Sequence, residues 1–206
     1  MSKMTTSDKI EVITHIIACA VFMPAIEHLQ LKEKYPNMRL TYLPARLHLR
    51  PEELKKHLQR EVSRAQAKGE RIILLYGDCF PDIDDFCKRH SIIKVPGSYC
   101  YEMLLGSERF KQLIDETTGT YFLEEELIIN FEDFCMGPLD LKDEEMRRQC
   151  FEHYKKLLYI RQPSDNDLTP RANELAQLLG LSLEIQDADY SQIEKTLTES
   201  LKGETW

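Results

Sequence analysis

No apolar run in this chain approaches the ~20 consecutive residues that a membrane-spanning helix needs. The opening stretch, MSKMTTSDKIEV, lacks the cationic, apolar and small-residue succession of a secretory signal, so a cytoplasmic protein is expected. Basic charge is scarce: 27 Lys and Arg against 35 Asp and Glu leave a net charge of −8. That balance argues against a nucleic-acid duplex or an anionic membrane as partner, because both reward a basic face. G-x-G-x-x-G, G-x-x-x-x-G-K and G-x-S-x-G are all missing, which removes support for dinucleotide, P-loop and serine-hydrolase readings. No Cys-x-x-Cys pair occurs either, so the zinc-ribbon pattern is absent.

What is present suits a packed domain: 206 residues, 42% of them hydrophobic and 30% charged. Short β-branched runs alternate with helical periods, the pattern of an α/β layer structure. Strands are expected at Val12–Cys19, Arg39–Leu43, Arg71–Tyr76, Ile92–Val95, Gly119–Leu123, Leu157–Ile160 and Leu181–Ile185. Between them, Pro24 opens a helix running towards Lys34. Pro51 opens the clearest one, with Leu54, Leu58 and Val62 on one face and Gly69 beyond its end. Further helices are expected over Asp82–His90, Tyr99–Leu105 and Ser107–Glu116. Others are expected over Glu124–Cys135, Asp140–Tyr154, from Thr169 to Gly180, and from Tyr190 or Ser191 onward. The expected fold is a single α/β domain over residues 1–206. Its core is one doubly wound, mainly parallel sheet of about five or six strands with helices on both faces. Any subdivision falls at Gly137-Pro138.

Ligands of open α/β sheets settle beyond the carboxyl ends of the strands. Four successive strand ends lead to Cys19, His48, Cys79 and Cys100. A Cys₃His set suits tetrahedral zinc, and a helix amino terminus at Cys100 would favour its thiolate. Two alternatives stand beside the metal site: a shared pocket without metal, and plain packing of a residue type that is usually buried. Gly77 and Asp78, in YGDCF, are candidate cofactor-binding residues, since glycine permits a tight turn or close approach to a ligand. Cys87, Cys135 and Cys150 read as packing residues. His15 reads as a hydrogen-bonded sheet histidine, and His28, His57, His90 and His153 as solvated helix residues. Asp78, Asp82, Asp84 and Asp85 lack EF-hand spacing and read as a charged helix start. Glu124, Glu125 and Glu126 offer either a carboxylate at a site edge or an acidic first helical turn.

Taken in order, IIACAVFMPAIEHL, LPARLHLRPEELKKHL, IILLYGDC, the segment from Val95 through YCYEMLLG, GTYFL and HYKKLLYI resemble one family. It is the family catalogued as domain of unknown function 1638, and the likeness runs from about Ile13 to Leu197. The resemblance implies a cytoplasmic protein of archaea or anaerobic bacteria, in a family often encoded beside corrinoid-dependent methyltransferases. Its matching positions are again Cys19, His48, Cys79 and Cys100. The function it implies is that of a metal-binding protein, zinc first, serving methyl-transfer or thiol chemistry as an accessory or an enzyme. The alternatives are a module that binds a corrinoid or a methyltransferase without catalysis, and an enzyme using a bare Cys79 or Cys100 thiolate with His48 as base. Two departures bear on the ligand. Phe80 stands where the family often has a pocket glycine, and the family's Trp after GTYFL is missing, the only Trp being Trp206.

Overall fold

The structure is a computed structural model that describes residues 12–203; the leader reading of residues 1–11 and Trp206 lie outside the described residues. Four strands, β1 (Thr14–Cys19), β2 (Met38–Leu43), β3 (Arg71–Leu75) and β4 (Ile93–Lys94), form a parallel sheet in the order β2-β1-β3-β4. Three more, β5 (Thr120–Leu123), β6 (Lys156–Arg161) and β7 (Ser182–Asp187), form a second parallel sheet in that order. The α/β class and parallel pairing are therefore as expected, but the strands divide into sheets of four and three rather than one sheet of five or six. The reason lies at β4. Pro96 has no N–H to donate, and pairing stops after two residues, leaving an edge too short to extend the ladder.

Ten helices connect the strands among the described residues. In the first half they are α1 (Met23–His28), α2 (Leu31–Lys34), α3 (Pro51–Gln66), α4 (Ile83–Arg89), α5 (Cys100–Leu105) and α6 (Ser107–Glu116). In the second they are α7 (Glu125–Ile129), α8 (Glu144–Phe151), α9 (Thr169–Leu179) and α10 (Ser191–Lys202). Helix α3 is the most legible. Pro51 takes its first turn, and Leu54, Leu58, Val62 and Ala65 are buried on one stripe. Burying each of its leucines stabilises the fold by about 1.5–3 kcal/mol.

Three expected helices are shorter than their periodicity suggests. The one from Pro24 breaks where Gln30 turns left-handed at φ 51, giving α1 and α2. The acidic one splits at Asn130 into α7 and a π-helical turn, Glu132–Met136. The one from Asp140 starts only at α8, where the Asp143 carboxylate accepts from the Met146 N–H at 2.8 Å.

The buried residues of both sheets join one hydrophobic cluster, on either side of Gly137-Pro138. Polar ties accompany it. The Arg71 guanidinium donates to the carbonyls of Ser200 and Leu201 at the end of α10. Arg109 on α6 donates to the Gln186 side chain on β7 at 2.7 and 2.9 Å.

Candidate functional site: a thiol-lined cavity at the strand switch point

Strand β1 has β2 on one side and β3 on the other, so the chain reverses direction across the sheet at β1. A crevice opens beyond the carboxyl ends at such a point. Cys19 is the last residue of β1, and the loop after β3 carries Tyr76, Gly77, Asp78 and Cys79. His48 rides on the 3₁₀ turn Ala45–Leu49 that follows β2, and Cys100 is the first residue of α5. The second half of the chain supplies Glu124, Leu127 and Phe134 as a further wall. Together they enclose a cavity of about 340 Å³ that Cys19, His48, Cys79 and Cys100 all line.

Gly77 sits there because nothing larger fits. A Cβ on it would lie 2.5 Å from the Ser98 carbonyl oxygen, and the Asp78 N–H donates to that same oxygen at 2.8 Å. The glycine thus clamps the Cys79 loop onto the segment leading to Cys100. Asp78 also lines the cavity, with its carboxylate 2.5 Å from the Lys94 ammonium, which holds its pKa below the ordinary value despite partial desolvation. That ammonium lies 3.4 Å from Asp84 as well, so this acidic run is a paired surface.

Cys19 is buried, and Cys79 and Cys100 are half-buried. Burial pushes the Cys19 thiol up to about 12, with the neighbouring Cys79, Glu124 and Glu126 adding to the rise. Cys79 is raised by burial and by Asp78. Cys100 does start a helix, but its thiol is raised well above the ordinary value by burial, then by Glu124, Cys19 and Cys79. The expectation of a thiolate at that helix end is therefore corrected. One helical turn's partial charge does not offset desolvation among like-signed neighbours.

Glu124 plays both parts considered for it. Its two carboxyl oxygens accept from the Glu126 and Leu127 N–H groups at 2.8 and 3.0 Å, capping α7, while the side chain faces the cavity. Burial outweighs those donors and pushes its pKa up to about 8.

His48 stands exposed at the rim. Its Nδ1 lies 3.0 Å from the Ala45 carbonyl oxygen, which can only accept, so Nδ1 carries the proton and Nε2 keeps a free lone pair. Partial burial of the ring lowers its pKa below the ordinary value, against the Ala45 hydrogen bond that raises it, which favours the neutral form. A neutral imidazole oriented by a carbonyl is the form in which histidine ligates metals.

Tyr76, Tyr101 and Phe134 were not foreseen as cavity walls. Tyr76 ends the RIILLY run, so its position at the strand's carboxyl edge was the available signal. Its hydroxyl is buried, leans towards the Cys19 and Cys79 sulfurs and completes no hydrogen bond of ordinary geometry. Such an orphan inside a protein usually marks a place where water or a ligand binds.

Three cysteine sulfurs, once deprotonated, and one tautomer-fixed imidazole are donor types that a cation such as zinc takes. Among the described residues, no three His, Cys, Asp or Glu side chains already surround a common point as ligands do. The donor types are those zinc takes, but as placed among the described residues they form no ligand shell.

The remaining candidates lie elsewhere. Cys87 and Cys135 are buried and Cys150 half-buried, all as free thiols; Cys135 lies 3.3 Å from the Tyr121 hydroxyl. His15 is fully buried between Thr41 at 2.8 Å and Arg39 at 2.7 Å. Burial and the Arg39 charge bring its pKa down to about 4. His28 packs on Tyr190, His90 on Phe86, and His153 meets Glu152 at 3.0 Å. His57 is half-buried and lines a groove, not solvent alone. Phe80 lines a surface depression outside the thiol cavity, edge-on to Phe86.

No curated protein and no solved structure matches the chain. A family does match, over residues 42–197, a span that contains His48, Cys79 and Cys100 but leaves Cys19 outside. With most of its length covered, the chain belongs to the family described as protein of unknown function (DUF1638).

Proposed function

We propose that the cavity at the β1–β3 switch point is a soft-metal site, zinc first, that serves thiol or methyl-transfer chemistry. Cys19, Cys79 and Cys100 would hold the ion with His48 Nε2 at the rim. The observation that carries this reading is that four chemically matched donors from four separate strand ends line one cavity. When bound, zinc would lower the pKa of a coordinated thiol and favour its thiolate.

The chain's own residues do the rest. The Ala45 carbonyl fixes the His48 tautomer. Tyr76 offers an uncommitted hydroxyl beside the sulfurs, and the apolar walls exclude water. Because the thiols are protonated at neutral pH, binding must release protons and tighten as pH rises. Six free cysteines suit a reducing, cytoplasmic setting, and no helix among the described residues is long and apolar enough to cross a membrane.

A second reading has one observation in its favour: the exposed His48 ring with its free Nε2. It could meet a corrinoid at the rim, making the protein a corrinoid- or methyltransferase-binding module. A cavity of about 340 Å³ lies at the small end of ligand pockets, so a corrinoid macrocycle would rest on the mouth.

Elemental analysis and an ultraviolet-visible spectrum of anaerobically purified, untagged protein test both readings. About one zinc per chain, with cobalt(II) substitution producing a thiolate charge-transfer band, supports the first. A corrinoid spectrum without zinc supports the second. Neither signal, together with no response of the melting temperature to added zinc, overturns the metal reading.

A further inference from the structure

Beside the thiol cavity lies a larger groove of about 800 Å³, and Ala45 and Phe134 are walls common to both. The 3₁₀ turn and α3 bring Arg46, Arg50 and His57 to it, while α7 and the π-helical turn bring Glu126 and Asp133. Arg50 pairs with Glu53 at 3.4 Å. Arg46 makes no hydrogen bond or ion pair among the described residues, and neither do the carboxylates of Glu126 and Asp133. Beside the Arg50–Glu53 pair, Arg46 on one wall and Glu126 and Asp133 on the other therefore share one groove without a protein counter-ion.

We propose that this groove seats the polar end of a small zwitterion of amino-acid type. Its carboxylate lies on Arg46 and its ammonium between Glu126 and Asp133. A thiol or thioether side chain passes Ala45 and Phe134 into the thiol cavity. The soft end rests on the reading of that cavity as a soft-metal site; the charge recognition does not.

Charge decides the class. A simple anion gains Arg46 but brings its charge near two carboxylates, and a simple cation meets the reverse. Only a ligand carrying both groups gives each wall a counter-ion and makes charge-assisted hydrogen bonds on both sides. Size agrees, because a pocket of several hundred Å³ is what a small ligand fills. The wall that the groove shares with the thiol cavity, Ala45 and Phe134, is apolar, so a sulfur end lies against it more favourably than a hydroxyl would.

The test uses metal-free full-length protein and three thioethers of similar length, measured by titration calorimetry. These are L-methionine, 3-(methylthio)propylamine, which has no carboxylate, and 4-(methylthio)butyrate, which has no ammonium. L-Methionine should bind roughly tenfold or more tightly than either, the loss expected for one charge-assisted bond. Arg46→Gln should bring L-methionine down to the affinity of the amine. The double variant Glu126→Gln and Asp133→Asn should bring it down to that of the acid. Arg46 is exposed, so an unchanged melting temperature will exclude misfolding as the cause. Equal binding of all three probes, no binding of any, or indifference to Arg46→Gln overturns the proposal. If charge discrimination is present but the protein takes up no zinc, the soft-metal reading falls and the groove assignment stands. If zinc is bound without discrimination, the groove assignment falls alone.

Discussion

The Asp78 N–H donates to the Ser98 carbonyl at 2.8 Å, and this one bond draws the Cys79 loop against the segment that begins α5. Two thiols separated by 20 intervening residues thereby face one cavity.

That closeness makes Gly77 the most sensitive position of the site. Gly77→Ala places a methyl against the Ser98 backbone at 2.5 Å, and neither partner is the free end of a flexible side chain. A loss of about 1–3 kcal/mol is expected, the usual penalty for forcing extra volume into a packed interior. Chemical denaturation will measure it, and thiol labelling of Cys79 should quicken as the loops part. An alanine variant as stable as the parent would mean that the two loops are not held in register.

The orphan hydroxyl of Tyr76 gives a prediction of opposite sign. Tyr76→Phe removes a buried hydroxyl that completes no hydrogen bond of ordinary geometry and only leans on the Cys19 sulfur, so stability without ligand should stay the same or rise. Zinc affinity should meanwhile fall or stay level. A clear drop in the melting temperature of the metal-free variant would show that the hydroxyl has a partner after all.

Thiol reactivity separates the cavity sulfurs from ordinary thiols. Cys19, pushed up to about 12, and Cys100, raised well above the ordinary value, should react with alkylating reagent at neutral pH far more slowly than in urea. Zinc should slow Cys79 further, and a chelator should restore its rate. Mass spectrometry of the labelled peptides reads each site separately. Uniform modification of all six cysteines in the folded protein would contradict an organised cavity.

His15 sets an acid limit at the far end of β1. Its folded pKa of about 4 lies below the ordinary 6.5, so the folded state holds it neutral. The associated stability is present above pH 6.5 and is lost as pH falls through about 4, because the unfolded chain binds the proton more readily. His15→Gln should flatten the stability profile across that window. A parent protein whose denaturation midpoint is level from pH 7 to 4 would remove His15 from this role.

Much of the fold was legible locally. The runs VITHIIAC and RIILLY are too short and too β-branched for helices, and they became β1 and β3. Pro51, the four-residue spacing of Leu54, Leu58 and Val62, and Gly69 with its φ of 68 defined α3 to within a few residues. Strand order was harder, yet placing Cys19, His48, Cys79 and Cys100 after successive strands needed only parallel pairing. The bend at Gln30 and the Asp143 cap were less visible, since a left-handed residue or a capped start interrupts no hydrophobic period.

By itself, then, the sequence determined the elements, their parallel α/β class and the candidate donors, because periodicity, capping and turn chemistry act over a few residues. Only the tertiary structure decided that the strands form two sheets, since that depends on whether the edge of β4 finds a partner. It also decided that the Cys100 thiol is raised well above its ordinary value, because burial and the charges of Glu124, Cys19 and Cys79 come from chain segments far from its own helix. Glu124 as a cavity wall and the unpaired charges of the Arg46 groove have the same origin. Which side chains lose water, and which charges fail to meet, is set by contacts between residues distant in the chain.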